Sequence, residues 1–211
     1  MNRYFIQNSN IILRNILNKE ENLDIVKDFI EAILNIKIKE IKLQPYLGEK
    51  VKYLPKEEKY GIVNVRIINQ DNEPCNVGIQ IIDGFYAQEK ILIYGASIHV
   101  NQEEYDGFEK VGDTYTINIL NNKVFSISTC HKIITLSAID SEGNVKTSDD
   151  LKFHVLQLPD YNNDEIKTHE DEWITYLIGD KEEQLEEIKT NNKYIRKLDK
   201  ILFELWKNET I

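Results

Sequence analysis

The stretch from Lys59 to Tyr94 constrains the fold of this chain more than any other. Two parts of it, Gly61 to Ile68 (GIVNVRII) and Cys75 to Ile82 (CNVGIQII), are rich in β-branched and apolar residues, and the residues between them are mostly turn formers. This pattern predicts a β-hairpin. After Gly84, apolar residues recur at roughly helical spacing, which predicts a helix that directly follows the second strand.

Each predicted strand of the hairpin contains a position that does not suit an apolar core. Asn64 lies between two valines on the first strand, and Gly78 and Gln80 share one face of the second strand because alternate residues point the same way. In a metal-dependent nuclease, carboxylates at positions 64 and 78 would hold a magnesium ion, which activates water and stabilises the phosphoryl transition state. This sequence has neither carboxylate.

These motifs resemble those of the Rpn family of recombination-promoting nucleases and transposases, a branch of the PD-(D/E)XK nuclease superfamily. The family pattern is Lys-x-x-x-x-Asp-φ on the first strand and φ-Glu-φ-Gln on the second. Lys59 to Val65 matches the first with Asn64 in place of Asp, and Val77 to Gln80 matches the second with Gly78 in place of Glu. The following helix of the family usually carries an aromatic, a basic residue and a tyrosine, for which the counterparts here are Phe85, Lys90 and Tyr94.

The resemblance continues on both sides of the hairpin. The family's N-terminal Asp-x-x-Phe-Lys corresponds to Asn10 to Arg14, again without the acid, and an apolar helix follows. Its His-x-x-Glu-Leu strand corresponds to His154 to Leu158 with Gln157 for Glu, and its acidic helix with a central tryptophan corresponds to His169 to Trp173. The resemblance implies an α/β fold: a mixed central sheet flanked by helices, with a helical C-terminal tail.

The rest of the chain predicts the following organisation. Residues 1–163 form the nuclease-like domain, and residues 164–211 form a helical segment that packs on this domain or on a partner. The predicted helices are Asn18 to Leu34, with Asn22 as its cap, Glu165 to Ile178 and Lys181 to Trp206. The predicted further strands are Lys39 to Leu43, Tyr115 to Leu120, His131 to Ala138 and Leu151 to Leu158.

Charge and composition restrict the class of partner. The chain has 36 acidic and 26 basic residues, a formal net charge of -10, which disfavours binding of nucleic acid. The lysines ahead of and at the start of the hairpin indicate a solvated face or a protected edge strand rather than a phosphate track; they are Lys37, Lys39, Lys42, Lys50, Lys52, Lys56 and Lys59. No apolar span or signal peptide is evident, so we expect a cytoplasmic protein without membrane insertion, with Cys75 and Cys130 as reduced core thiols.

The expected chemistry follows from the missing acids. The amide of Asn64 is neutral and Gly78 has no side chain, so Asn10, Asn64, Gly78 and Gln80 are vestigial positions of an inactive site. We expect no cofactor. A purely structural interpretation, in which Asn64 is a hydrogen-bonded core amide and Gly78 a bulge or a close-packing glycine, gives the same functional answer.

Carboxylates on neighbouring elements are an alternative source of metal ligands. Asp28 and Glu31 on the first long helix, and Asp83 after the second strand, are the candidates, although alternation places Asp83 on the face opposite to Gly78. With these ligands the protein would be a magnesium-dependent DNA endonuclease. The four histidines show no mutual ligand spacing, and His154 is interpreted as a strand residue.

Three functions are therefore open. The first is a non-catalytic, protein-binding regulator or inhibitor, dimeric and of mobile-element or phage origin, aimed at a host nucleic-acid-binding enzyme. The second is an active endonuclease with migrated carboxylates, and the third is a structural remnant without any partner beyond itself. The negative charge and the missing ligands favour the first.

Overall fold

The computed structural model describes residues 16–44, 62–82, 84–100, 102, 112–162 and 165–209. Within these ranges the strands are β1 (Ile38–Leu43), β2 (Ile62–Asn69), β3 (Pro74–Ile82), β4 (Asp113–Leu120), β5 (His131–Ile139) and β6 (Val145–Gln157). The α-helices are α1 (Leu23–Leu34), α2 (Ala87–Val100), α3 (His169–Ile178), α4 (Glu182–Asn191) and α5 (Lys193–Glu209). Short 3-10 helices cover Glu20–Asn22 and Leu158–Asp160.

The six strands form one mixed sheet in the order β1-β2-β3-β4-β6-β5. The first three strands form an antiparallel meander, and β4 then pairs parallel to β3 after the α2 crossover. β6 is parallel to β4, and β5 pairs antiparallel to β6 at the far edge. The predicted mixed sheet with flanking helices and a C-terminal helical region is confirmed.

Helices cover both faces of the sheet. Alternate residues of β2, such as Val63 and Val65, belong to a large core that also contains apolar residues of α1, α3, α4 and α5. The opposite face packs against α2 through a smaller core that includes Ile91 and Phe153. The C-terminal helices therefore bury their apolar sides, including Trp173 and Leu198, in the same core as the strands.

Two glycines, Gly95 on α2 and Gly78 on the facing side of the sheet, let the helix lie close to the strands. A Cβ atom on Gly95 of α2 would overlap the ring of Phe153 in β6, and a Cβ atom on Gly78 of β3 would lie 2.6 Å from the hydroxyl oxygen of Tyr94. Gly78 pairs in regular register with Asn64 on β2 and with Thr116 on β4. Gly78 is thus a close-packing glycine and not a bulge.

The predicted single helix from Lys181 to Trp206 is wrong, because the chain breaks it at Asn192. Asn192 has extended backbone angles (φ -103°, ψ 107°). Its backbone N–H donates to the backbone carbonyl of Ile188 in the last turn of α4. Its side-chain oxygen accepts hydrogen bonds from the backbone of Tyr194 and Ile195, at 2.9 and 3.1 Å. Asn192 is therefore the N-cap of α5. Its side chain satisfies two backbone N–H groups that a new helix would otherwise leave unpaired, which reduces the free-energy cost of the break.

Other predicted elements differ at their ends. The predicted helix from Asn18 starts at Leu23 after a 3-10 turn, and Asn22 is at the cap position without a capping bond, since its amide donates to the Ile16 carbonyl. The predicted start of α3 at Glu165 moves to His169, where Thr168 and Asp171 form a capping box. β6 begins earlier than predicted, at Val145, because its first half pairs with β5 alone.

Candidate functional site

The two positions that lack carboxylates lie directly opposite each other in the hairpin. Asn64 on β2 is the register partner of Gly78 on β3. Val63 and Val65 point into the large core, so Asn64 points to the face covered by α2. The structure therefore brings together Asn64, Gly78 and Gln80 as the motif spacing predicts. Asn10 and Asp83 lie outside the described residues.

The space in front of this pair is occupied by α2. The Tyr94 hydroxyl donates a hydrogen bond to the side-chain oxygen of Asn64 at 2.9 Å, and both residues are buried. Cδ1 of Ile98 lies where a Cβ atom of residue 78 would be. Burial raises the pKa of Tyr94 well above its ordinary value, so the phenol stays protonated and remains a donor.

Gln80 belongs to a second polar group on the same face of the sheet. Its amide donates to the side-chain oxygen of Asn118 at 2.6 Å, and the Asn118 amide donates to the Thr116 hydroxyl at 2.8 Å and to the backbone carbonyl of His154 at 3.1 Å. Gln80, Thr116 and Asn118 are all buried. These partners satisfy the side chains internally, and Thr116 and Asn118 are the two residues of this group that motif comparison did not single out.

The donor set of this site does not fit a magnesium ion. Magnesium in proteins is bound through carboxylates and water, with near-octahedral geometry. Asn64 offers one neutral amide oxygen, which already accepts from Tyr94, and Gly78 offers no side-chain atom. In the part of the chain that the structure describes, no group of three or more His, Cys, Asp or Glu side chains has the geometry to hold a metal ion.

Asp28 is the buried acceptor of a polar cluster that joins α1 to the C-terminal helices. Its Oδ2 accepts hydrogen bonds from the ring nitrogen of His169 and the indole nitrogen of Trp173, both at 2.9 Å, and lies 3.4 Å from the side-chain nitrogen of Asn192. The hydrogen bond and the charge of Asp28 raise the pKa of His169. Since Trp173 belongs to the large core, Asp28 lies on the opposite side of the sheet from Asn64.

Glu31 is also engaged in the packing of α1. One of its carboxylate oxygens accepts the backbone N–H of Ile38 at the start of β1, at 2.8 Å, and the other is 3.6 Å from the ammonium of Lys37. Glu31 thus connects α1 to the edge strand. The contacts of Asp28 and Glu31 place neither of them beside Asn64 and Gly78.

Two histidines that are far apart in sequence form a connected pair on the large-core side. His131 on β5 and His154 on β6 hydrogen-bond through their ring nitrogens at 2.9 Å, and Glu170 on α3 contacts the other nitrogen of His131 at 2.8 Å. Burial, followed by the nearby charges of His131 and Lys152, lowers the pKa of His154 to about 3. Sequence spacing did not indicate this pair, because cross-strand pairing alone brings the two residues together.

Gln157, which the motif resemblance sets in place of a glutamate, also has structural partners. The side-chain oxygen of Gln157 accepts the backbone N–H groups of Val124 and Phe125, at 2.8 and 2.9 Å, and so holds the loop before β5. Lys39 and Lys42 are exposed on β1, an edge strand, whereas Lys50, Lys52, Lys56 and Lys59 lie outside the described residues. Both cysteines are free thiols, and burial raises the pKa of Cys75 to about 11 and of Cys130 to about 12.

The antiparallel meander, the α2 crossover and the parallel fourth strand, with Asn64 and Gly78 paired under α2, define a nuclease-like α/β protein. Comparison of the sequence with family profiles is consistent with this class: the profile of the PD-(D/E)XK nuclease family transposases matches residues 11–210. The chain belongs to that family. No curated protein and no solved structure gives a significant match. Within the described ranges, no helix is both long and apolar enough to cross a membrane.

Proposed function

We propose that this protein is a catalytically inactive member of the PD-(D/E)XK nuclease family that acts by binding another protein, as a regulator or an inhibitor. The proposal is carried by the contact of α2 with the vestigial pair: Tyr94 and Ile98 occupy the space in front of Asn64 and Gly78. Metal-dependent hydrolysis needs anionic ligands at this place, both to activate water and to stabilise developing charge. The side chains present here are neutral.

The charge of the protein supports a protein target over a nucleic acid. The net charge is -10, and four exposed glutamates lie on α4 alone, at Glu182, Glu183, Glu186 and Glu187. Such a surface repels a polyphosphate backbone and suits a basic partner. We infer that the partner is a basic protein, of the kind that itself binds nucleic acid.

Loss of catalysis is tested with the full-length protein in one preparation. Magnesium and then manganese are titrated by calorimetry, and the same sample is incubated with supercoiled plasmid in each metal. We expect neither heat of specific binding nor metal-dependent nicking. Nicking that is lost in Asp28→Asn, Glu31→Gln or Asp83→Asn would establish the alternative, an endonuclease with migrated ligands.

The matched control for these variants is Asp24→Asn, which changes an acid on the same helix. Asp24 is half exposed and pairs with Lys197 on the surface at 2.7 Å, so its loss should not alter the fold or any catalysis. Circular dichroism of each variant separates unfolding from loss of a ligand. The binding part of the proposal is tested by reconstituting the complex from purified components and measuring its salt dependence, which should be steep for a basic partner.

A further inference from the structure

Glu170, His131 and His154 form a hydrogen-bonded chain in which the acid fixes the tautomer of both rings. Glu170 on α3 contacts Nδ1 of His131 at 2.8 Å, and Nε2 of His131 contacts Nδ1 of His154 at 2.9 Å. A carboxylate only accepts hydrogen bonds, so Nδ1 of His131 carries a proton. Nε2 of a neutral His131 is then an acceptor, and Nδ1 of His154 is the donor. We call these three residues the histidine relay.

The free end of the histidine relay is Nε2 of His154. Among the described residues this nitrogen has no hydrogen-bond partner. Water reaches it, because in the same part of the chain no fully buried side-chain nitrogen or oxygen lacks a partner. With the proton of His154 on Nδ1, Nε2 is unprotonated. The relay therefore presents a basic nitrogen to solvent from a side chain that is only 6% exposed.

The spacing of the two rings suits a shared proton and not a shared metal ion. Zinc binds histidine nitrogen at about 2.0–2.1 Å in tetrahedral geometry, so two nitrogens on one ion lie about 3.3–3.4 Å apart. The two nitrogens here are 2.9 Å apart, which is an ordinary hydrogen-bond distance. Within the described ranges no third His, Cys, Asp or Glu side chain completes a metal-binding group with them.

The groups that face the relay favour a positive charge on His131 and disfavour one on His154. The Glu170 carboxylate contacts His131 directly. His154 is buried, and burial followed by the charges of His131 and Lys152 lowers its pKa to about 3. From β4, the ring of Tyr115 lies 6.2 Å from that of His154, centroid to centroid. Burial raises the pKa of Tyr115, so this phenol is neutral and supplies no compensating anion.

Negative charge also predominates at the His131 end of the relay. Burial is the main reason that the pKa of the adjacent Cys130 thiol is raised to about 12, so the thiol itself is neutral. Lys132 is the cation that acts on this thiol, and it is paired with an acid at 3.2 Å. The acids that act on the thiol are Glu170, Asp160, which is the partner of Lys132, and Asp171.

We propose that the histidine relay is a proton switch that ties the edge strand β5 to α3. A proton enters at Nε2 of His154, and the proton on Nδ1 of His154 passes to Nε2 of His131. His131 then holds a proton on each nitrogen and a positive charge beside Glu170, while His154 is neutral again with its proton on Nε2. One proton is gained, and His154 changes tautomer without becoming charged.

The consequence is a pH-dependent clamp between two elements of the fold. His131 is the first residue of β5, and Glu170 lies in the first turn of α3. Before proton uptake the contact between them is a hydrogen bond from a neutral ring to a carboxylate, and afterwards it is a charge-assisted ion pair, which is stronger. Acidification therefore strengthens the attachment of α3 to the edge of the sheet.

The test is an NMR titration of the histidine ring nitrogens in the full chain, labelled with the heavy nitrogen isotope. The range from about pH 8 to about pH 4 spans the ordinary titration of histidine. At the alkaline end we expect the His154 proton on Nδ1. On acidification His131 should gain its second proton, and His154 should move its own proton to Nε2 while it stays neutral. His131→Gln and His154→Gln assign the signals.

Two variants of α3 test the role of the acid. Glu170→Gln keeps an acceptor for Nδ1 of His131 but removes the charge, so the tautomer change of His154 should move to lower pH by roughly half a unit, about a threefold loss of proton affinity. Glu172→Gln is the matched control, because Glu172 contacts Asn192 at 2.9 Å and not the relay. It should leave the titration unchanged. Circular dichroism confirms that both variants fold.

The clamp itself is measured by a double-mutant cycle of His131→Gln and Glu170→Gln in urea, at the two ends of the pH range. The coupling between the two residues, expressed as a factor in the unfolding equilibrium constant, should be about threefold larger at the acidic end. The wild-type titration needs no variant that replaces a relay acid, so it tests the relay even if Glu170→Gln does not fold.

The proposal is overturned if His154 already carries its proton on Nε2 at the alkaline end, if His154 becomes charged before His131, or if its tautomer does not change with pH. Equal shifts in Glu170→Gln and Glu172→Gln, or a coupling that is independent of pH, would overturn it as well. None of these measurements involves metal, cleavage or a partner protein, so they separate this inference from the proposed loss of catalysis.

Discussion

The hydroxyl of Tyr94 on α2 donates a hydrogen bond of 2.9 Å to the side-chain oxygen of Asn64 on β2, across a fully buried helix–sheet contact. The bond joins the two residues that motif resemblance matches to the family's helix tyrosine and to its strand acid. It shows how a polar residue is accommodated in the middle of an apolar strand, because a buried amide needs a partner. It also holds α2 over Gly78, the register partner of Asn64.

Tyr94→Phe should destabilise the fold by about 1–3 kcal/mol, because it leaves the Asn64 oxygen buried without its donor. The free energy of unfolding in urea measures this. Asn64→Val is the complementary change, and the double variant Tyr94→Phe with Asn64→Val should lose less than the sum of the two single variants, since no polar group then stays unpaired. Additive losses would show that the bond contributes nothing.

Gly78→Ala should cost about 1–3 kcal/mol of stability, because the new methyl group overlaps Ile98 and presses on Tyr94. Urea unfolding of Gly78→Ala, alone and combined with Ile98→Val, measures the effect. Ile98→Val removes the Cδ1 atom in conflict, so the double variant should recover part of the loss.

The same packing predicts the outcome of rebuilding the family motif. Asn64→Asp with Gly78→Glu restores both carboxylates in sequence, but the glutamate has no space beneath α2 and two buried charges would have no cation. We expect a strongly destabilised protein without nuclease activity, measured by thermal unfolding and plasmid nicking. Activity in this double variant would show that α2 moves away readily.

Asp28→Ala should destabilise the protein by about 3 kcal/mol or more, because it removes the common acceptor of His169 and Trp173 in a buried cluster. Asp28→Asn keeps an acceptor and should cost less. The raised pKa of His169 adds a pH dependence: its stabilising contribution is complete below the unfolded pKa of about 6.5 and is lost as pH rises through the folded pKa. Unfolding in urea at several pH values from mildly acidic to mildly alkaline should show this loss in the wild type and not in His169→Gln.

His154 should give the opposite pH dependence. Its folded pKa is about 3, so between about 6.5 and about 3 the unfolded chain binds a proton that the folded chain does not, and stability falls as pH falls. The slope from this one group approaches about 1.4 kcal/mol per pH unit. His154→Phe should flatten the curve below pH 6.5 relative to the wild type. An unchanged slope would contradict the lowered pKa of His154.

Local pattern was sufficient to place the hairpin, α2, β1, β4 and β5 to within a few residues, because alternation and helical periodicity report which side of an element is buried. It failed at Asn192. The apolar periodicity of the C-terminal stretch continues past this residue, and only the contacts of its side chain with Tyr194, Ile195 and Glu172 make a break there favourable. The actual boundaries of β6 likewise depend on its two different partner strands.

The sequence by itself determined that positions 64 and 78 carry no acid, that they belong to the two strands of one hairpin, and that the chain is strongly acidic. Those properties are read from residue type and period-two alternation, which need no knowledge of distant contacts. Only the tertiary structure decided that Tyr94 and Ile98 fill the space in front of the pair, that Asp28 is engaged by His169 and Trp173, and that His131 meets His154. These contacts join residues tens of positions apart, and close packing of separate elements, rather than any local pattern, brings them together.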